Sequence, residues 1–218
     1  MLPSRDRLRG LLNDGRFEEI AEAAVRKNGV LGQLVPSMFD PDPQIGWRAV
    51  EAMGLAAERI ARTNPDYVRQ HLRRLHWLLS EESGGMCWRA PEGMAEIVSR
   101  NPRLFGDYIP IVTSLIVSMA EEDLEHFRAG VLWAIGRLGV PPDGHDEEML
   151  AAVVSALDNE DSQVRGMAVW CLGQIGMAKL LAERGDLLSD DGPVDLYEDG
   201  NIRLHTVGEI VEATLAAS

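Results

Sequence analysis

One arginine-centred phrase occurs five times along this chain at a nearly constant interval, and that recurrence constrains the fold more than any other feature. Trp47-Arg48-Ala49, Trp88-Arg89-Ala90, Phe127-Arg128-Ala129, Val164-Arg165-Gly166 and Ile202-Arg203-Leu204 fall into register, with their arginines 41, 39, 37 and 38 residues apart. The residue before each arginine is apolar, and so is the residue four after it: Ala52, Gly93, Leu132, Val169 and Val207. A period near 40 with helical patterning means a two-helix unit, which cannot bury its apolar face alone and therefore stacks on copies of itself. No stretch alternates apolar and polar residues long enough to predict a strand, so the fold class is all-α.

Local signals divide the chain. Ser4 caps a predicted helix through Leu12, and Gly15 separates it from a second over Phe17–Lys27. This charged pair, residues 1–29, lacks the arginine phrase and reads as an N-terminal cap. The repeats follow at 30–63, 64–101, 102–140, 141–176 and 177–218, together one domain over 1–218. Asn64-Pro65 and Asn101-Pro102 mark boundaries, since asparagine caps a helix and proline suits its first position. In repeat two, Pro91 falls inside the helical pattern after Gly84-Gly85, which predicts a kink or a late helix start. In repeat five the acidic stretch 189–200 reads as a solvated loop before a last helix over Asn201–Ala216.

Apolar residues make up 45% of the 218 and charged residues 26%, enough material for a core. The formal charge of −14 disfavours nucleic acid and anionic lipid as partners. Two cysteines, Cys87 and Cys171, and a polar start with no secretory leader predict free thiols and a soluble, cytoplasmic protein. The longest apolar run, Tyr108–Ala120, is too short to span a membrane.

The aspartate-rich turn before Val164-Arg165-Gly-Met-Ala-Val, closing with Leu172-Gly173-Gln-Ile-Gly176, resembles the HEAT-repeat family and in particular its bacterial phycobilisome-lyase-like branch. The resemblance covers most of residues 30–216. It implies a right-handed α-solenoid of about five two-helix repeats behind the N-terminal helical cap, with the second helix of each pair lining a concave side. It also implies a structural ladder of turn aspartates and helix-start arginines: Arg128, Asp161 with Arg165, and Asp199 with Arg203.

Five residues after the arginines stand Met53, Met94, Trp133 and Trp170, a row of bulky side chains that either lines the concave groove or fills space between helix layers. Exposed tryptophans would be candidate anchors for a partner. The irregular second repeat adds Trp88, Glu92 and Glu96 as groove candidates, because a costly irregularity in a regular array is a place to look for function.

No cluster compels a reaction. The five histidines are scattered, with His71 and His76 offset by five, so neither a metal nor another cofactor is predicted. Asp190, Asp191, Asp195, Glu198 and Asp199 follow no calcium-loop spacing. Cys87 near His76 lacks a third group to orient a base. The reading is a non-enzymatic scaffold or adaptor that presents a concave groove to a protein or peptide. Two alternatives come with the resemblance: bilin-lyase-like chromophore handling, and a HEAT-like DNA alkylation-lesion binder. The second needs a basic groove, for which Arg59, Arg62, Arg69, Arg73, Arg74, Arg100 and Arg103 are the available charges.

Overall fold

The structure, a computed structural model, describes residues 3–79, 89–122, 127–139, 144 and 146–217. They build an all-α helical-repeat fold with one two-stranded hairpin. Two compact units are distinguishable: Met1–Tyr108 with Tyr197–Ile202, and Ile109–Leu196 with Arg203–Ser218.

In the first unit three helices, α1, α4 and α5, begin where the sequence offers a side-chain oxygen to an orphan amide. Ser4 accepts from the Arg7 N–H at 3.2 Å and opens α1 (Arg5–Asn13). Gly15, at φ 65°, turns the chain into α2 (Phe17–Arg26), and α3 (Gly29–Ser37) follows. Asp42 accepts from the Gln44 N–H at 3.0 Å and Pro43 occupies the first position of α4 (Pro43–Ala61). Asn64 accepts from the Tyr67 N–H at 3.2 Å at the head of α5 (Pro65–Leu79). α6 (Ala90–Arg100) and the short α7 (Pro102–Phe105) complete the unit, with a 3-10 turn at Gly106–Tyr108.

α2, α4 and α6 lie side by side as one layer, and α3 and α5 pack against it as a second. Ile20, Ala24, Val50, Met53, Ala57, Met94 and Val98 are fully buried in this core. Gly54 sets the approach of α6 to α4: a Cβ there would sit 2.4 Å from Glu96 Cγ and 2.9 Å from its carbonyl oxygen.

Of the two outcomes predicted at Pro91 the structure shows the late helix start, and the cap expected of Asn101 is not formed. α6 starts late, at Ala90, so Pro91 stands in its first turn, where the missing N–H breaks no hydrogen bond, and not in a kinked interior. Asn101 makes no side-chain cap; its carbonyl accepts from the Leu104 and Phe105 N–H groups, both at 3.1 Å, and its buried Nδ2 has no hydrogen-bond partner.

The second unit contains α8 (Ile109–Glu122), α9 (Arg128–Leu138), α10 (Glu147–Ser155), α11 (Ser162–Gln174), α12 (Gly185–Leu188) and α13 (Val207–Ala217). α9, α11 and α13 form one layer of it, with α8 against α9 and α10 against α8 and α11. Asp146 and Asp161 cap α10 and α11 through the Met149 and Gln163 N–H groups, both at 2.9 Å.

The sequence expectation fails between residues 193 and 206. A hairpin of β1 (Pro193–Glu198) and β2 (Asn201–Thr206) replaces the acidic loop and the first turns of the expected last helix. Its loop is Asp199-Gly200, at φ 49° and 78°, the left-handed pair whose twist matches paired strands. Val194 and Leu196 point inward while Asp195 faces water. Arg203 therefore lies on a strand and Asp199 in a turn, so neither belongs to a ladder of helix starts.

A candidate binding face on helix α4

Helix α4 buries one flank and leaves Gln44, Trp47, Arg48, Glu51, Leu55 and Glu58 half-buried, a stripe at the three-and-four spacing of one helix face. Within the first unit this stripe holds the hairpin tip, Tyr197–Ile202. Gln44 Nε2 donates to the Gly200 carbonyl at 2.8 Å, and its Oε1 accepts from the Ile202 N–H at 2.9 Å. Arg48 Nε donates to the same Gly200 carbonyl at 2.8 Å and its Nη2 to Asn201 Oδ1 at 3.0 Å, while Nη1 reaches the carbonyls of Leu12, at 3.2 Å, and Asn13.

One turn along, Trp47 stacks on Tyr197, ring centroids 5.3 Å apart and planes 9° from parallel. The Tyr197 hydroxyl donates to Glu51 Oε2. Burial, followed by the Glu51 carboxylate that this hydroxyl already faces, raises the phenol far above its ordinary range, so it acts as a donor and not as a base. The Arg89 guanidinium carbon lies 4.4 Å from the Trp47 ring centroid, a cation–π contact in a largely desolvated place. Gly46 admits that side chain: a Cβ would stand 3.3 Å from Arg89 Nε and 3.1 Å from the Met38 carbonyl oxygen.

Glu92 and Glu96, predicted as groove carboxylates, are 3% and 2% exposed and belong to the interior. Glu96 accepts from Arg100 Nε at 2.6 Å. Glu92 lies 3.9 Å from Arg89 Nη1, beyond hydrogen-bond reach, and its Oε2 has no partner. Burial pushes its carboxyl up to about 7 against the pull of Arg89, so it exchanges its proton near neutral pH and is protonated below that.

The row of bulky side chains is likewise core and not groove floor. Met53 and Met94 are fully buried, and Gly93 leaves room for the sulfur of Met53. Trp133 is 5% exposed and stacks on half-buried Trp170, centroids 6.1 Å apart and planes 4° from parallel. Gly136 is the socket for Trp170, since a Cβ would come within 2.5 Å of its ring. Inner helices pack directly side by side, and the fifth position after the arginine faces the neighbour. Trp88 and Cys87 lie outside the described residues.

Arg128 is buried at the head of α9. Arg165 grips Asp190 by two bonds of 2.7 and 3.1 Å and donates Nη1 to the carbonyls of Asn159 and Glu160 at 2.8 and 2.9 Å. Its expected partner, Asp161, is spent on capping α11, so Asp190 of the supposedly solvated loop takes that place. Of the seven clustered arginines, Arg59 pairs with Glu18, Arg62 with Glu58, Arg69 with Asp107 and Arg100 with Glu96.

Among the described residues no three His, Cys, Asp or Glu side chains converge as a metal site requires, and no helix is long and apolar enough to cross a membrane. Burial raises the free Cys171 thiol well above its ordinary range, which makes it inert. Sequence reasoning missed Gln44, Glu51 and Tyr197 as a group. The signal was present: Asp199-Gly200 between the alternating Val194, Leu196 and Ile202, Leu204 is a hairpin pattern.

Comparison with known proteins agrees with this architecture. Residues 125–175 match the family model of the HEAT-like repeat. A 105-residue stretch, 48% of this chain, is 32% identical to an uncharacterized protein of Archaeoglobus fulgidus, of whose length it covers 51%. The match thus spans about half the length of that relative.

Proposed function

We propose that this protein is a non-enzymatic scaffold that holds polypeptide segments on the inner-helix face of its repeats, with the repeat boundaries at 30, 64, 102, 141 and 177 as its modules. The observation that carries this reading is the hold of α4 on the hairpin tip: a carboxamide and a guanidinium engage backbone groups of a segment about 150 residues away in sequence. Reading of backbone N–H and C=O groups by fixed side chains, with one aromatic anchor, is how peptide-binding surfaces combine tolerance with specificity. Repeat stacks build such surfaces from successive inner helices. The buried free thiol at Cys171 accords with a reducing cytosol as the place of action.

A photoreactive benzoylphenylalanine in place of Leu55, on the same face, tests the proposal in the native cell. Irradiation is expected to capture discrete polypeptides. A protein that yields no cross-linked polypeptide above the level of a photoreactive residue on the outer face of α5 would not be a scaffold of this kind.

A further inference from the structure

The hairpin tip is the natural model of the ligand for the face it covers. Its contacts define a chemistry: a tight turn of two left-handed residues, with a tyrosine two residues before the turn and an asparagine directly after it. Trp47 and Glu51 take the ring and hydroxyl of Tyr197, Gln44 takes a carbonyl and an amide, and Arg48 takes the carbonyl and the Asn201 side chain. Within the tip Tyr197 and Gly200 are buried, Glu198 and Ile202 half-buried, and Asp199 and Asn201 exposed. Buried Val194 and Leu196 and the bonds of Gln163 to the Asp195 backbone hold the base of the hairpin, so the contacts with α4 hold the tip alone, on a two-stranded ribbon that has marginal stability by itself.

We infer that the α4 face is a recognition surface for tyrosine-bearing tight turns of a partner polypeptide, and that the hairpin tip occupies it in cis as a competing pseudo-ligand. The inference rests on the scaffold reading and narrows it to one ligand class. Occupancy in cis matters quantitatively. A tethered segment competes at an effective concentration on the order of millimolar, so a free turn with the same contacts at micromolar concentration does not displace it. A partner gains the surface by binding more tightly than the tip does or by meeting a chain whose tip is released. Tyr197 is the contact on which release turns, because it supplies both the buried ring and the bond to Glu51.

The test uses the full chain and a fluorescein-labelled 14-residue peptide of the sequence Pro193–Thr206, closed by a disulfide between added terminal cysteines. Fluorescence anisotropy is measured with the wild type, with Tyr197→Ala, and with Tyr197→Ala combined with Gln44→Ala; circular dichroism establishes that each is helical. Tyr197→Ala is expected to bind the peptide at least about tenfold more tightly than the wild type. The added Gln44→Ala should reverse the gain, and a peptide whose tyrosine is replaced by alanine should not bind. Equal binding by wild type and Tyr197→Ala overturns the inference, as does a helical Tyr197→Ala without saturable binding.

The Leu55 cross-linker separates this failure from that of the scaffold reading. A higher yield of captured polypeptide in Tyr197→Ala supports occupancy in cis. Equal yields leave the scaffold standing and remove the pseudo-ligand, and no capture in either chain removes both.

Discussion

Arg165 stands in the first turn of α11, where the helix dipole opposes a cation, and the structure shows what outweighs that opposition. A forked pair with Asp190 and two carbonyls of the preceding turn meet the guanidinium, and both side chains are less than a fifth exposed, at 19% and 16%. Hydrogen bonding to Arg165 holds the Asp190 carboxyl below its ordinary range. Removing one member of a pair this buried leaves the other charge desolvated and uncompensated, so Arg165→Ala is expected to cost about 2–4 kcal/mol. Arg165→Lys keeps the charge but not the fork, and should recover less than half of the loss. Urea unfolding of the three chains at neutral pH measures both. Near-complete rescue by lysine would show that charge alone matters. The need of such an arginine for a partner was legible in the sequence. Its identity was not, because Asp190 lies 25 residues further on and joins it only through tertiary structure, while the nearer Asp161 satisfies an amide of its own helix.

Helix starts were the most legible elements, because Ser4, Asp42, Asn64, Asp146 and Asp161 each place an acceptor where orphan amides need one. Pro91 shows how the same kind of signal leaves two outcomes open when the register is shifted. Aligned on Arg89 it falls inside the helical pattern, which fits a kink or a late start, and α6 takes the late start, beginning one residue before it. The proline therefore sits where its fixed φ favours the fold and where alanine restores no hydrogen bond. Pro91→Ala should change stability by less than about 1 kcal/mol, with a loss more natural than a gain, since alanine frees the unfolded chain and vacates buried volume. A rise in melting temperature of several degrees would restore the kinked-helix reading. The hairpin was hidden by the opposite effect. Its alternation and its Asp-Gly turn pointed to strands, but the arginine interval of 38 residues and the acidic composition drew that segment into the helical repeat. With it went the candidate site, since that face of α4 is defined by the tip it carries.

At the scale of the whole molecule, two buried groups oppose each other in the pH dependence of stability. Burial raises the Glu92 carboxyl from 4.5 to about 7, so the folded state binds its proton more tightly and acidification from pH 7 toward 4.5 stabilises the fold. Burial, with a smaller push from Arg74, lowers His71 from 6.5 to about 4, and its Nε2 has no hydrogen-bond partner. The folded state therefore excludes that proton, and acidification from pH 6.5 toward 4 destabilises it. Each effect is worth about 3 kcal/mol across its window. The windows nearly coincide, so the wild type should keep an almost level melting temperature between pH 4.5 and 7, with a shallow maximum between. Asp40, Asp186 and Asp190, all held below the ordinary aspartate value, withdraw their contribution only below about pH 3.8. The net charge of −14 declines on acidification in every variant alike, so comparison with the wild type removes it. Glu92→Gln is then expected to be more stable than the wild type above pH 7 and to lose that advantage steadily as the pH falls to 4.5. His71→Gln should show the reverse slope, gaining on acidification whatever its stability at neutral pH. Thermal unfolding of the three chains from pH 4 to 8, followed by circular dichroism, decides the matter: profiles that run parallel would mean that neither group is buried in the ionisation state assigned to it.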